Sequence, residues 1–256
     1  MKILFTVCGR SGSKGLKNKN LKYFLGDPLV YYTLSCIDLF IKKTKCEFHS
    51  DIAVNTDNDD LLILVSKTNL NIVEVRRDES LGKDDTPKVS VIRNSLEVME
   101  EQKKYKYDLI VDLDITSPLR TLRDLENIVN KKIENEESDV VFSVVDSRRN
   151  PYFNMVKKDG NGIITKVIKS NFVARQQAPE VYDMNASMYV YSREFLMKRD
   201  VISVFDGKID IVKMKDTAVL DIDSENDFEF MEIVANYIYR VNDEFKEIKD
   251  NIKNIL

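Results

Sequence analysis

An alternation of short apolar runs with segments of helical periodicity constrains the fold of this chain more than any other feature. The apolar runs predict buried strands at residues 3–8, 51–55, 71–75, 107–113 and 139–145. Apolar side chains at helical spacing predict helices at residues 28–42, 59–67, 86–104 and 121–135. Strands that alternate with helices through short turns are typical of a mostly parallel sheet with helices on both faces. We therefore predict an α/β fold.

The pattern changes after residue 147. Asn161-Gly162 is typical of a hairpin turn, so residues 148–168 predict a hairpin or small sheet, and residues 171–185 are polar and irregular. The remaining predictions are strands at 187–191, 209–214 and 219–223 and a long charged helix at 226–253.

These changes predict a small projecting β-rich arm at residues 146–184, carried by an α/β domain of residues 1–145 and 185–256. The arm contains little periodicity that would give it a core of its own. Such an arm is often stabilised by a partner subunit, so we expect a homodimer formed largely through it.

A basic turn with glycines, residues 9–20, follows the first predicted strand. It contains three glycines and four cations: Gly9, Gly12, Gly15, Arg10, Lys14, Lys17 and Lys19. Glycines let backbone N–H groups turn toward an anion, and Arg and Lys neutralise its charge. The spacing fits neither a Walker A loop, since Gly15 follows Lys14, nor the G-x-G-x-x-G fingerprint. The turn predicts a phosphate-binding loop, although plain connections of this composition also occur.

Charged and polar residues also follow the other predicted strands. They are Thr56-Asp57, Arg76-Arg77 and the pair Asp112 and Asp114. Ligands of open α/β sheets bind where the carboxyl ends of the strands meet, so we expect these groups and Arg10 to share one site.

Composition narrows the class of protein. The chain has 256 residues, 43% of them hydrophobic, and a net charge of -4, which argues against a general nucleic-acid binder. The cysteines, Cys8, Cys36 and Cys46, lack metal-binding spacing and suit a reducing cytoplasm, where we expect the protein. No apolar run is long enough to span a membrane. His49 is the single histidine and lies in a charged segment, which disfavours His-based catalysis or zinc binding.

Two acidic pairs have D-x-D spacing, Asp221 with Asp223 and Asp112 with Asp114. Residues two apart in a strand point to the same face, so both carboxylates of a pair can face one cation. Hard oxygen ligands suit Mg²⁺. The alternative for the later pair is a turn before the last helix, with Asp223-Ser224 as its cap. Together with the basic loop, the pairs fit a metal-assisted reaction at a nucleoside triphosphate.

The polar stretch 175–185 contains Arg175, Gln176 and Asn185. Arg can bind a carboxylate through two hydrogen bonds, and amides can bind acetamido or hydroxyl groups, so the stretch could hold a sugar acid. The alternative is a surface loop.

Four segments carry a family resemblance. Residues 10–20 resemble the R-x-x-S-K-G-x-x-x-K-N signature of the acylneuraminate cytidylyltransferases, and residues 116–120 match their TSPLR segment. Residues 175–186 resemble their RQQ-x-P and NGA segment, and residues 221–223 resemble their closing metal motif. The segments occur in the family's order across nearly the whole chain. The resemblance implies a Rossmann-like α/β fold with a small swapped dimerisation arm.

The resemblance also implies residue roles. The nucleotide CTP would be bound by Arg10, Ser13, Lys14, Asn20, Arg77 and Thr86, and Mg²⁺ by Asp221 and Asp223. The sugar pocket would be lined by Arg175, Gln176, Asn185 and Tyr189. The sugar's anomeric 2-hydroxyl would attack the α-phosphorus of CTP and release pyrophosphate, with Arg10, Lys14, Asp221 and Asp223 as the catalytic residues.

Departures from the sequence pattern of the sialate enzymes indicate which sugar this chain binds. Asp114 stands where those enzymes have an amide, and the segments that contain Asn154 and Ser187 resemble the branch that activates legionaminic acid. A carboxylate at Asp114 could accept from an additional N–H of the sugar or join the metal ligands. We therefore predict N,N'-diacetyllegionaminic acid as the substrate. The alternatives are N-acetylneuraminic acid and, in a different class, a non-catalytic nucleotide- or sugar-binding module.

Overall fold

The structure, a computed structural model, describes residues 1–12, 15–83, 85–215, 217 and 222–256. The strands are β1 (Lys2–Gly9), β2 (Tyr23–Phe24), β3 (Asp27–Pro28), β4 (His49–Thr56), β5 (Ile72–Arg76), β6 (Leu109–Leu113), β7 (Val140–Asp146), β8 (Val156–Lys158), β9 (Ile164–Lys166), β10 (Tyr182–Ser192) and β11 (Ile209–Lys213). The helices are α1 (Leu29–Thr44), α2 (Asp59–Ser66), α3 (Lys88–Lys103), α4 (Leu122–Glu134), α5 (Arg193–Met197), α6 (Glu225–Val241) and α7 (Asp243–Asn251).

Within the described residues, seven strands form a central sheet in the order β5-β4-β1-β6-β10-β7-β11. The strands β5, β4, β1 and β6 pair in parallel, and so do β7 and β11. The strand β10 pairs antiparallel with both β6 and β7. The prediction of a mostly parallel sheet is confirmed. The predicted strand at 219–223 falls largely outside the described residues.

Alternating side chains of the strands enter two hydrophobic cores, one on each face of the sheet. On β1, Ile3, Phe5 and Val7 belong to the first core and Leu4 to the second, because successive strand residues point to opposite faces. Side chains of α1, α2, α4, α6 and α7 complete the first core, and α3 and α5 complete the second. Burying one large aliphatic side chain stabilises the fold by about 1.5–3 kcal/mol. Helices on both faces were predicted, and this is confirmed.

The prediction of one long helix at 226–253 is wrong, because α6 and α7 are separate. Asn242 ends the first and begins the second: its N–H donates to the carbonyl of Ile238 at 2.9 Å. Its side-chain Oδ1 accepts from the N–H of Glu244 at 3.0 Å. Asparagine is a favoured N-cap, since its side chain satisfies an N–H that has no partner within the helix.

The arm contains the β8–β9 hairpin, whose turn is held by Asp159. Its Oδ1 accepts from the N–H groups of Asn161 and Ile163, at 2.9 Å each. Gly162 adopts a φ of 83°, which glycine reaches without steric cost. The hairpin is shorter than the predicted 148–168. Its apolar side chains are open to solvent, with Val156 65% and Ile164 58% exposed.

Candidate active site

A cavity of about 410 Å³ lies where β1, β5 and β6 end. Six predicted site residues line it: Arg10, Asn20, Arg77, Thr86, Asp114 and Asp223. Lys19, a cation of the predicted phosphate-binding loop, lines it as well, and so do two lysines without a predicted role, Lys83 and Lys88. Among these residues basic side chains outnumber the carboxylates, so the cavity favours a polyanionic ligand. Of the groups predicted to share one site, Arg10, Arg77 and Asp114 line the cavity, whereas Thr56, Asp57, Arg76 and Asp112 do not.

The glycine-containing loop packs directly against the closing acidic segment. A Cβ on Gly15 would overlap the backbone carbonyl oxygen of Asp223, so this close approach requires glycine. Lys19 Nζ donates to the carbonyl oxygen of Ile222 and to Asp223 Oδ1, at 3.2 Å each. The loop and Asp223 therefore form one wall of the cavity. Ser13, Lys14 and Asp221 lie outside the described residues.

Asp57, after β4, fixes the start of the loop. Its carboxylate accepts from the N–H of Ser11 at 2.7 Å and from the Ser11 hydroxyl at 2.6 Å. Partial burial raises the pKa of Asp57, but the hydrogen bonds from Ser11, a further backbone N–H and the charge of Arg77 together outweigh it, so the pKa lies below its usual value. On the other side of the loop, the buried Asn20 donates from Nδ2 to the carbonyl oxygen of Arg10 at 3.1 Å. Asn20 thus holds the backbone beside Arg10.

Arg77 is held by a chain of amides that starts on α3. Its Nε donates to Asn55 Oδ1 at 2.8 Å, and its Nη2 donates to the carbonyl oxygen of Asn55 at 3.0 Å. Asn55 is fully buried, and its Nδ2 donates to Asn94 Oδ1 at 3.1 Å and Ser95 Oγ at 3.0 Å. The guanidinium is thereby oriented at the cavity wall. Nearby, Thr86 donates from its hydroxyl to the carbonyl oxygen of Ser80 at 3.3 Å.

The earlier acidic pair holds a lysine. Lys88 Nζ lies 2.8 Å from Asp112 Oδ2 and 2.8 Å from Asp114 Oδ2. Thr6 donates from its hydroxyl to Asp112 Oδ1 at 2.7 Å. Sequence reasoning missed Lys88, since a lysine at the start of a helix usually extends into solvent. Its position after Pro87, at the first turn of α3 facing the strand ends, was the available signal.

Lys88 and the acidic pair shift each other's pKa values. Burial lowers the pKa of Lys88, but the carboxylates of Asp112 and Asp114 outweigh it and hold the pKa well above its usual value. Burial raises the pKa of Asp114. The charge and hydrogen bond of Lys88 and the hydrogen bonds from Thr116 lower it by more, so the pKa lies well below its usual range. Both groups are therefore ionised at neutral pH.

Cys8 also lines the cavity and is half-buried. Burial, followed by the negative charge of Asp112, raises the pKa of its thiol well above the usual value. The thiol stays protonated at neutral pH, which keeps it a poor nucleophile.

The residues predicted for the sugar fall into two groups. Asn185, Ser187 and Tyr189 lie on β10, are buried and are not among the residues that line the cavity. The Asp114 N–H donates to the carbonyl oxygen of Ser187 at 3.0 Å, and the Tyr189 ring centroid lies 5.3 Å from Lys88 Nζ. Asn185 Oδ1 accepts from the hydroxyl of Ser143 at 2.6 Å.

Asn154, Arg175 and Gln176 form the second group. They lie on the arm, are exposed and do not line the cavity. Asn154 Oδ1 accepts from the N–H of Asn150 at 2.7 Å, and Arg175 Nη2 donates to the carbonyl oxygen of Ser147. These contacts of Asn154 and Arg175 connect parts of the arm.

The described helices include none that is both long and apolar enough to cross a membrane.

Comparison with known proteins gives consistent matches. Residues 4–248 match the family described as cytidylyltransferase. The chain is 33% identical over 232 residues to post-translational flagellin modification protein B of Campylobacter coli, covering 91% of this chain and 94% of that protein. It is 34% identical over 234 residues to CMP-N,N'-diacetyllegionaminic acid synthase of Campylobacter jejuni, covering 91% and 95%.

The fold is similar to that of a solved CMP:2-keto-3-deoxy-manno-octonic acid synthetase complexed with CTP, with a TM-score of 0.63. The match covers 93% of this chain and 99% of that one at 13% identity. It supports the Rossmann-like fold.

Proposed function

We propose a specific reaction for this chain, which belongs to the cytidylyltransferase family and is a nucleotidyltransferase. It transfers CMP from CTP to the anomeric 2-hydroxyl of a nonulosonic acid and releases pyrophosphate. The observation that carries this proposal is the set of basic side chains around one cavity at the carboxyl ends of the strands. The four negative charges of a nucleoside triphosphate match such a lining.

For the nucleotide side, we propose that Arg10 and Arg77 bind phosphate oxygens of CTP, together with Ser13 and Lys14 of the loop. Arg10 lines the cavity beside a backbone carbonyl that Asn20 holds, and Arg77 is oriented by Asn55. Guanidinium groups bind phosphate oxygens through paired hydrogen bonds, which suits both arginines to this role. Asn20 and Thr86 complete the nucleotide side.

For Mg²⁺, we propose Asp221 and Asp223 as the ligands. Asp223 lines the cavity against Gly15, and 77% of its side chain is exposed, so its carboxylate is open to a cation. Hard carboxylate oxygens suit Mg²⁺. A bound Mg²⁺ would neutralise phosphate charge.

The chemical step forms a bond between the sugar's anomeric oxygen and the α-phosphorus and breaks the bond from that phosphorus to the bridging oxygen. Pyrophosphate leaves with the electron pair, and the proton of the 2-hydroxyl is released to water. Such a reaction needs mainly positioning and neutralisation of the charge that develops on phosphate oxygens. We propose that Arg10 and Lys14 supply fixed positive charge for this step.

For the sugar, we propose N,N'-diacetyllegionaminic acid. Support comes from the 34% identity to the Campylobacter jejuni synthase named for it and from Asp114 at the cavity wall. We propose that the sugar is bound by side chains of the α/β domain, namely Asp114, Asn185, Ser187 and Tyr189. The arm would add three further side chains to the sugar pocket: Asn154, Arg175 and Gln176.

We further propose that the protein is a cytoplasmic homodimer joined through the arm, residues 146–184. Exposed apolar side chains on the hairpin support this, since pairing would remove them from water. Light scattering at micromolar concentration is expected to give twice the chain mass, and a monomer would contradict the homodimer.

A panel of sugar acids tests the substrate. The protein is incubated with CTP, Mg²⁺ and either N,N'-diacetyllegionaminic acid or N-acetylneuraminic acid, and pyrophosphate release gives kcat/KM for each. We expect the legionaminate value to be higher by at least about tenfold, equivalent to about 1.4 kcal/mol. Equal or better use of N-acetylneuraminic acid would overturn the substrate, and no release with either sugar would favour a binding module.

A further inference from the structure

In the acidic pair, Asp114 lines the cavity and Asp112 lies buried behind it, and both carboxylates contact a cation of the chain itself. One oxygen of each carboxylate lies 2.8 Å from Lys88 Nζ, so both oxygens converge on a single point. In the part of the chain that the structure describes, no cluster of three or more His, Cys, Asp or Glu residues offers an alternative metal site.

The pair is not an ordinary surface ion pair. The side chain of Asp112 is fully buried and that of Asp114 is 24% exposed. A buried carboxylate requires a counter-charge, because leaving it unpaired in a medium of low polarity is strongly unfavourable. Lys88 provides that charge, and the adjacent Tyr189 ring limits the space into which its head could turn.

The same two oxygens are also suited to a divalent cation. Mg²⁺ binds carboxylate oxygens at about 2.0–2.1 Å, so each oxygen would have to move inward by only about 0.7 Å to bind an ion at the position of Nζ. In two-metal sites, one ion of the pair neutralises the attacking or leaving oxygens of a phosphate displacement. Lys88 lines the cavity with 35% of its side chain exposed, which places its charge at the cavity wall.

We infer that Lys88 is the permanent counter-ion of the Asp112–Asp114 pair and occupies the position that a second divalent cation would otherwise take beside the bound substrate. The inference rests on the proposed function in that Asp114 lines the cavity assigned to CTP. It restricts divalent binding to the Asp221–Asp223 segment. Lys88 then balances one of the pair's two negative charges whatever the Mg²⁺ concentration.

The test counts bound Mn²⁺ by electron paramagnetic resonance, without nucleotide or sugar. The variants are Lys88→Met and, as a matched control, Lys83→Met, which removes a lysine from the same cavity but leaves the acidic pair covered. We expect Lys88→Met to bind one Mn²⁺ per chain more than the wild type and Lys83→Met. Adding Asp112→Asn to Lys88→Met should remove the additional ion, and Lys88→Arg should keep the wild-type count. Equal counts in Lys88→Met and the wild type would overturn the inference.

Loss of folding also gives a result. If Lys88→Met is unfolded in EDTA, Mn²⁺ is expected to restore the circular dichroism of the folded chain, since the ion replaces the missing charge. A variant that stays unfolded in millimolar Mn²⁺ contradicts the inference. Because neither measurement contains substrate, a failure here is distinct from a failure to use CTP.

Discussion

Gly15→Ala tests whether the loop and the closing acidic segment must lie in contact for activity. The new Cβ would lie inside 3.0 Å of the Asp223 carbonyl oxygen, whereas ordinary contact begins at 3.4 Å. The two backbone segments must therefore separate by more than the 0.4 Å between these values. Overpacking of this kind costs about 1–3 kcal/mol of stability.

The expected kinetic effect is about as large as the effect on stability, since each factor of ten in rate corresponds to about 1.4 kcal/mol. Reacting groups must be held within about 0.5 Å of the productive geometry, and a misplacement of about 1 Å can cost about 100-fold in rate. We expect kcat/KM, measured by pyrophosphate release, to fall by about 10- to 100-fold while the chain remains folded. Gly160→Ala is the matched control, because a Cβ there meets nothing within 4 Å. A Gly15→Ala enzyme with the kcat/KM of the Gly160→Ala control would refute the contact's role.

Three further predictions follow from the site. Asp223→Ala should lower kcat by about 100-fold or more, as for loss of a group that stabilises phosphate charge, with an unchanged circular dichroism spectrum; normal turnover would show that the pair only caps α6. Asn55→Ala should raise KM for CTP by about tenfold, or about 1.4 kcal/mol, because Arg77 loses its orientation; an unchanged KM for CTP would remove Asn55 from substrate binding. The pKa of Asp57 is lowered in the folded chain. Its ionised form therefore stabilises the fold at pH values above the unfolded-state pKa of about 3.9. This stabilisation is lost as the pH falls through the folded-state pKa. The difference in unfolding free energy between the wild type and Asp57→Asn should therefore shrink from about pH 6 to about pH 3, and a constant difference would contradict this origin.

The sequence predicts the sheet well because strand and helix periodicities differ, and each is repeated several times before residue 146. The prediction from sequence fails at Asn242. Apolar residues keep their helical spacing across the break between α6 and α7, so the spacing does not reveal that the side chain of Asn242 caps a new helix there. The hairpin of the arm is predicted from Asn161-Gly162, but its length is not, since few long-range contacts fix the strands there.

For the site, the rule that ligands bind at the carboxyl ends of strands suffices to bring Arg10, Arg77 and Asp114 together. Both acidic pairs have the same D-x-D spacing, so the spacing does not show that the two pairs have different surroundings. Only the tertiary structure places Lys88, from the start of α3, against Asp112 and Asp114. Which arm residues meet a ligand depends on how the arm packs, and the pattern of a single chain does not specify that.

The cavity has walls that belong to different hydrophobic cores. Leu16 and Ile222, beside Gly15 and Asp223, pack into the first core, whereas Val89, beside Lys88, packs into the second. A nucleotide that touches both walls is therefore a non-covalent crosslink between the two layers of helices. Its binding energy opposes the separation of either layer from the sheet, so occupancy should slow hydrogen exchange in both layers together and not only in the loop that it touches.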